Sequence, residues 1–203
     1  MSLADMKEIG ENICNAFKVV RKTHKALNDL REEIVNYSNS SDSDYLVCND
    51  KGRYLRYNSD TDSNGWCYGC FILVFKKKDD NSNFRYAFAV DLIDCNEPEV
   101  LVAKIKYGED IGDNLSVYDY IKYMYPLYCC GDNFSVEQHD SVEGLNYDLI
   151  GVSGKKYEKI SEKKYFNFFE KAIITKFSLL DISGKKDVHI VFDKMKSLDK
   201  IEF

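Results

Sequence analysis

Apolar residues recur at heptad spacing over residues 3–37. They form two rows, Met6, Ile13, Val20, Leu27 and Ile34 in one and Ile9, Ala16, Thr23, Leu30 and Tyr37 in the other. This pattern predicts one long helix whose rows make a continuous seam. At 1.5 Å per residue the helix is about 50 Å long, whereas a compact domain of this size is about 43 Å across. The helix is therefore long enough to overhang its own domain.

Two interpretations of this seam are open. Residues beside it, among them Phe17, Val19 and Ala26, widen the apolar face, which favours packing against a sheet of the same domain. The heptad spacing itself favours pairing with the helix of a second copy. The basic residues of this segment fall on the opposite face and are Lys18, Arg21, Lys22 and Lys25.

The middle of the chain changes to strand patterns. Residues 44–48 and 53–57 predict a short hairpin, because Asn49-Asp50-Lys51-Gly52 between them has turn chemistry. Three longer strands are predicted over residues 70–77, 84–93 and 100–107. The first two are apolar at successive positions, which is typical of strands at a sheet centre with cover on both faces.

The second half mixes both element types. A helix is expected from Ser116 to Pro126, followed by an irregular stretch over 129–143. Strands are predicted at 145–151 and 155–160, a helix at 161–171 and a strand at 173–180. Residues 183–200 fit a final helix, with a hairpin around Gly184 as the competing interpretation.

Together these elements predict an α+β fold. It has the long N-terminal helix (3–37), a strand-rich core (44–107) built as a mostly antiparallel sheet of about five to seven strands, and mixed structure with further short helices (108–203). No linker divides the chain, so residues 1–203 are expected to form a single domain.

Composition limits the classes of function. The 203 residues carry a formal charge of −6 and a pI near 5.2, which makes a nucleic-acid partner an unfavoured interpretation. We find neither a membrane-spanning apolar run nor a secretory pattern, and the seven cysteines are scattered, so we expect a soluble cytoplasmic protein with reduced thiols. Abundant Tyr, Phe and Asn are typical of an AT-rich bacterial or phage genome.

One segment has the residue types of a divalent-metal loop. Asp60, Asp62 and Asn64 alternate before Gly65, as in the first half of an EF-hand, but Phe71 stands where the bidentate Glu belongs. These three residues are the metal-ligand candidates. Asp91, inside an apolar strand, is a further carboxylate that could serve a metal-dependent enzyme.

A cysteine pair lies close by. Trp66-Cys67-Tyr68-Gly69-Cys70 resembles the active-site motif of thioredoxin-like oxidoreductases. That resemblance implies thiol–disulfide exchange with both cysteines on one exposed turn at a helix N-terminus. The competing interpretation is two cysteines at the start of a buried strand.

Tyrosines crowd the helix predicted after Ser116. Aromatic side chains around a helix can line a ligand pocket, so the candidate ligand-binding residues are Tyr118, Tyr120, Tyr123 and Tyr125. The chain has no nucleotide or hydrolase fingerprint, and we expect no cofactor.

The function expected from these patterns is that of a non-enzymatic binding or interaction module. Its partner would be a second copy bound through the long helix, another protein or a small molecule. The alternative is a divalent-metal-dependent enzyme that uses Asp60 and Asp62 or Asp91.

Overall fold

The computed structural model describes residues 3–57, 70–80, 82–92, 97–108, 111–116, 135–142, 145–151 and 169–203. A 36-residue helix, α1 (Leu3–Ser38), precedes the sheet, and a second helix, α2 (Val188–Asp199), follows it. The strands are β1 (Tyr45–Val47), β2 (Leu55–Tyr57), β3 (Cys70–Lys77), β4 (Phe84–Asp91), β5 (Glu99–Tyr107), β6 (Ser135–Val142), β7 (Leu145–Gly151) and β8 (Phe169–Ser178). This confirms the α+β class and the long N-terminal helix.

The strands form one antiparallel sheet. Its order is β1-β3-β4-β5-β8-β7-β6, and the short β2 also pairs with β3. Every strand pair of the sheet is antiparallel. Seven strands therefore lie on the continuous path, with β5 at its middle. β3 and β4 each have strands on both sides, as their apolar sequences predict.

Alternation along the strands separates two buried clusters. In β5, Leu101, Ala103 and Ile105 belong to one face, while Val100 and Val102 belong to the other. The second face is covered by the helices, which contribute Leu27 and Ile34 from α1 and Val188, Val191, Phe192, Met195 and Leu198 from α2. Because side chains on both faces are buried, β3, β4 and β5 are apolar at successive positions.

The predicted hairpin of residues 44–48 and 53–57 is wrong. β1 and β2 do not pair with each other but lie end to end along one edge of β3. Asn49 fills the gap between them, because its amide donates to the Ile72 carbonyl (3.2 Å) and accepts from the Val74 N–H (2.6 Å). The side chain thereby replaces a rung of the ladder, so the edge of β3 remains hydrogen-bonded across the turn.

Two predictions in the second half also need correction. Residues 135–142 are the edge strand β6 rather than an irregular stretch, and residues 169–171 begin β8 rather than end a helix. An edge strand has no neighbour on one side, so a polar sequence is no obstacle to pairing there. Residues 188–199 are helical, which excludes the competing hairpin. The predicted helix at 116–126 lies outside the described residues apart from Ser116, and the predicted strand at 155–160 lies wholly outside them.

Candidate functional site

The seam of α1 changes environment halfway along the helix. Met6 and Ile13 are 48% and 53% exposed, whereas Leu27 and Ile34, at the same heptad position, are 4% and 0% exposed. Val20 between them is half-buried. The same apolar row is therefore exposed in the first half of the helix and buried in the second. We call residues 6–23 the arm and residues 24–38 the anchored half.

The anchored half is fixed by packing and by hydrogen bonds. The hydroxyl of Tyr54 donates to the Leu27 carbonyl (2.9 Å), and Arg31 donates to the Gly52 carbonyl (3.1 Å). At the helix end, the Ser38 hydroxyl donates to the Tyr45 carbonyl (3.2 Å) and accepts from the Val47 N–H (2.9 Å). These contacts join α1 to the sheet edge, so the arm projects from a fixed base.

The arm presents apolar side chains to solvent over four helical turns. Ile9 lies in the second row of the seam and is 48% exposed, and Phe17 and Val19 beside the seam are 54% and 63% exposed. Large apolar side chains concentrated on one helical face are typical of an interaction surface, whereas single exposed ones are common on any protein.

Charge is distributed unevenly along the arm. Residues 5–11 contain three carboxylates and one lysine, whereas residues 18–25 contain four basic side chains and no carboxylate. The Lys7 ammonium lies 4.0 Å from Glu11, and both side chains are largely exposed. The arm therefore has an acidic outer end and a basic inner end.

A groove opens where the arm meets the folded body. It has a volume of about 690 Å³ and lies between α1 and residues 179–188. Thr23, Ala26 and Leu30 form its α1 wall, and Leu180, which is 71% exposed, stands on the opposite wall. Glu33 and Lys185 form an ion pair across it. Sequence reasoning missed this groove because its opposite wall comes from the far end of the chain.

A separate polar cluster lies between the C-terminal end of α2 and strands β3 and β4. The Asp199 carboxylate accepts hydrogen bonds from Lys77 (2.5 Å) and from the Tyr86 hydroxyl. Burial alone raises the pKa of Asp199, but the hydrogen bonds from Lys77 and Tyr86 outweigh it and hold that pKa below its ordinary value. Burial also raises the pKa of Tyr86. This cluster joins α2 to the sheet, and none of its three residues lines the groove.

The candidate metal ligands Asp60, Asp62 and Asn64 lie outside the described residues. Asp91 ends β4, is half-buried and stands opposite Glu99 of β5 in the ladder. Among the residues that the structure describes, no three His, Cys, Asp or Glu side chains lie close enough to hold a metal ion together.

The candidate ligand-binding residues Tyr118, Tyr120, Tyr123 and Tyr125 also lie outside the described residues. Of the cysteine pair, Cys70 is the first residue of β3 and is buried, while Cys67 is not described. The position of Cys70 corresponds to the buried-strand interpretation, not to an exposed turn.

Comparisons of the chain with protein-family models, with curated protein sequences and with solved structures gave no match. No helix in the described part of the chain combines the length and apolarity needed to cross a membrane.

Proposed function

We propose that this protein is a non-enzymatic interaction module that self-associates through the arm of α1. The observation that carries the proposal is the contrast within one heptad row, buried at Leu27 and Ile34 but exposed at Met6 and Ile13. The anchored half already uses the row as a packing surface. The arm repeats the same spacing, and its Met6, Ile9 and Ile13 side chains are about half exposed.

The spacing favours a helical partner over an extended peptide. Residues at heptad positions insert between four side chains of a facing helix, which an extended chain cannot supply. The two rows of the arm include Ile9, Ile13, Ala16 and Val20, whose small and branched side chains suit close helix packing. A second copy offers the complementary surface by construction.

The arm is short, so the expected dimer is weak. A contact confined to about five helical turns buries less than a standard protein interface, and weak interfaces of this size are transient. We expect a dissociation constant of about 1–100 µM. The monomer and the dimer are then both populated in an ordinary dilution series.

Sedimentation velocity across that concentration range tests the proposal. Ile13→Glu places a carboxylate in the seam and should abolish the dimer, whereas Asn15→Glu adds the same charge on the opposite side of the helix and should leave it intact. Both positions are exposed, so thermal unfolding should be the same for both variants. A wild-type chain that stays monomeric at every concentration overturns the proposal.

No observation among the described residues favours the metal-dependent enzyme as a second function.

A further inference from the structure

We infer that two copies pair through their arms in antiparallel orientation, each arm ending at the groove between α1 and residues 179–188 of the other copy. This inference rests on the proposed function and specifies its partner surface. Two observations carry it: the position of the body on α1 and the position of the groove.

The body of the protein leaves no room for parallel pairing. Leu27 and Ile34 continue the seam of the arm and are packed against the protein's own sheet and α2. In a parallel pair the partner's anchored half would run along that same face, into the volume that the core already fills. In an antiparallel pair the partner's α1, which begins at Leu3, reaches only as far as Ala26. The partner's body then lies at the opposite end of the arm.

An antiparallel register follows from the heptad rows. Pairing one row with the other places Met6 opposite the partner's Thr23, Ile9 opposite Val20, and Ile13 opposite Ala16. The symmetry axis then passes between residues 14 and 15, at the middle of the arm. All three layers use residues of the arm alone, so the exposed length of the helix matches its own antiparallel overlap.

The groove lies where the partner's helix begins. Its wall residues Thr23 and Leu30 occupy the second row of the seam, and Ala26 lies beside them. In the same register, Leu3 at the start of the partner's α1 is level with Ala26. The first turn of the partner's helix therefore reaches the groove mouth, where Leu180 on the opposite wall is 71% exposed.

Single cysteines distinguish the two orientations. In a Cys14→Ser background, the variants Ile9→Cys and Val20→Cys, mixed under mild oxidation, should form the mixed disulfide between residues 9 and 20, because the antiparallel register places these positions in one layer. Neither variant alone should cross-link through its introduced cysteine, and peptide mass mapping identifies the bond. A parallel dimer would instead cross-link each variant with itself, and that result overturns the inference and leaves self-association standing.

A variant of the groove provides an independent test. Leu180→Glu should weaken the dimer at least threefold, whereas Asn39→Glu, exposed just beyond the other end of α1, should not. Sedimentation velocity reports both variants, and circular dichroism confirms that each is folded. A dimer that Leu180→Glu does not weaken overturns the docking at the groove, and a monomeric wild-type chain overturns the proposed function itself.

Discussion

The ammonium of Lys104 lies 3.0 Å from the backbone carbonyl of Asp199, at the C-terminal end of α2. It also donates to the Ile201 carbonyl at 3.0 Å, and its side chain is only 8% exposed. The last carbonyls of a helix have no partner within the helix and carry partial negative charge. Lys104 lies on the face of β5 that the helices cover. Its ammonium therefore supplies hydrogen-bond donors to the C-terminal end of α2, which is far from it in sequence.

Replacing this lysine should loosen α2. Lys104→Met keeps most of the stem but leaves two carbonyls without their donor, so we expect a loss of about 1–3 kcal/mol in the free energy of unfolding. Lys106→Met is the matched control on the same strand, because Lys106 is 40% exposed in an ion pair with Glu170. It should cost less than about 0.5 kcal/mol. Urea unfolding of both variants decides the matter, and equal losses would show that Lys104 has no special role.

Acid should release the Asp199 cluster. Burial opposes the charge on Asp199, but Lys77 and Tyr86 stabilise it and lower the pKa of the carboxyl in the folded state. A lowered folded pKa means that the stabilisation is complete above the unfolded pKa of about 3.9 and is lost as pH falls through the folded value.

Asp199→Asn should therefore cost about 2 kcal/mol at pH 7 and progressively less below about pH 4. Denaturant unfolding at several pH values measures the difference from the wild-type chain. Asp193→Asn, at an exposed position of the same helix, should show little difference at any pH. A cost for Asp199→Asn that does not shrink in acid would contradict the assignment.

Gly52 is required for both its backbone angle and its lack of a side chain. Its φ is +61°, and a Cβ would lie 2.9 Å from Cγ2 of Val35 on α1. Gly52→Ala should destabilise the protein by about 2–4 kcal/mol, because strain and a clash add. Gly112 has φ +77° with nothing within 4 Å, so Gly112→Ala should cost only the backbone strain, about 1–2 kcal/mol. Thermal unfolding that ranks the two variants equally would rule out the clash.

The described cysteines should differ sharply in reactivity. Burial raises the pKa of Cys48 to about 11, whereas Cys14 is exposed on the arm. Because the thiolate is the reactive form, brief alkylation of the native protein at pH 8 should label Cys14 and leave Cys48 unmodified. Peptide mass mapping gives the result, and denatured protein labelled at both sites is the control. Rapid labelling of native Cys48 would contradict its burial.

Sequence patterns predicted the long elements because those elements bury one regular face. β3 spans Cys70–Lys77 as predicted, since eight residues of apolar character define a central strand. β6 was missed because an edge strand needs no apolar pattern. The pairing of β1 and β2 with β3 depends on the side chain of Asn49, which no periodicity reveals.

The sequence predicted only one part of the candidate site, the seam of α1. The heptad rows predicted the seam, but their spacing is the same at Ile13 and at Ile34, and only the tertiary structure shows which one is buried. The groove combines Ala26 with Leu180, and their proximity follows from the path of the whole sheet. The predicted metal ligands and the tyrosine cluster stay predictions.

The length of the arm also sets the distance between the two bodies of the proposed pair. In the proposed pair, residue 24 of one copy is level with residue 5 of the other. The two anchored halves therefore begin about 19 residues apart, or about 28 Å along the helix axis. Two identical sheets would then be held at opposite ends of a rigid two-helix spacer, related by a twofold axis. Any ligand bound by each body would be presented twice at that fixed spacing, so a target with two equally spaced sites would be selected by geometry as well as by affinity.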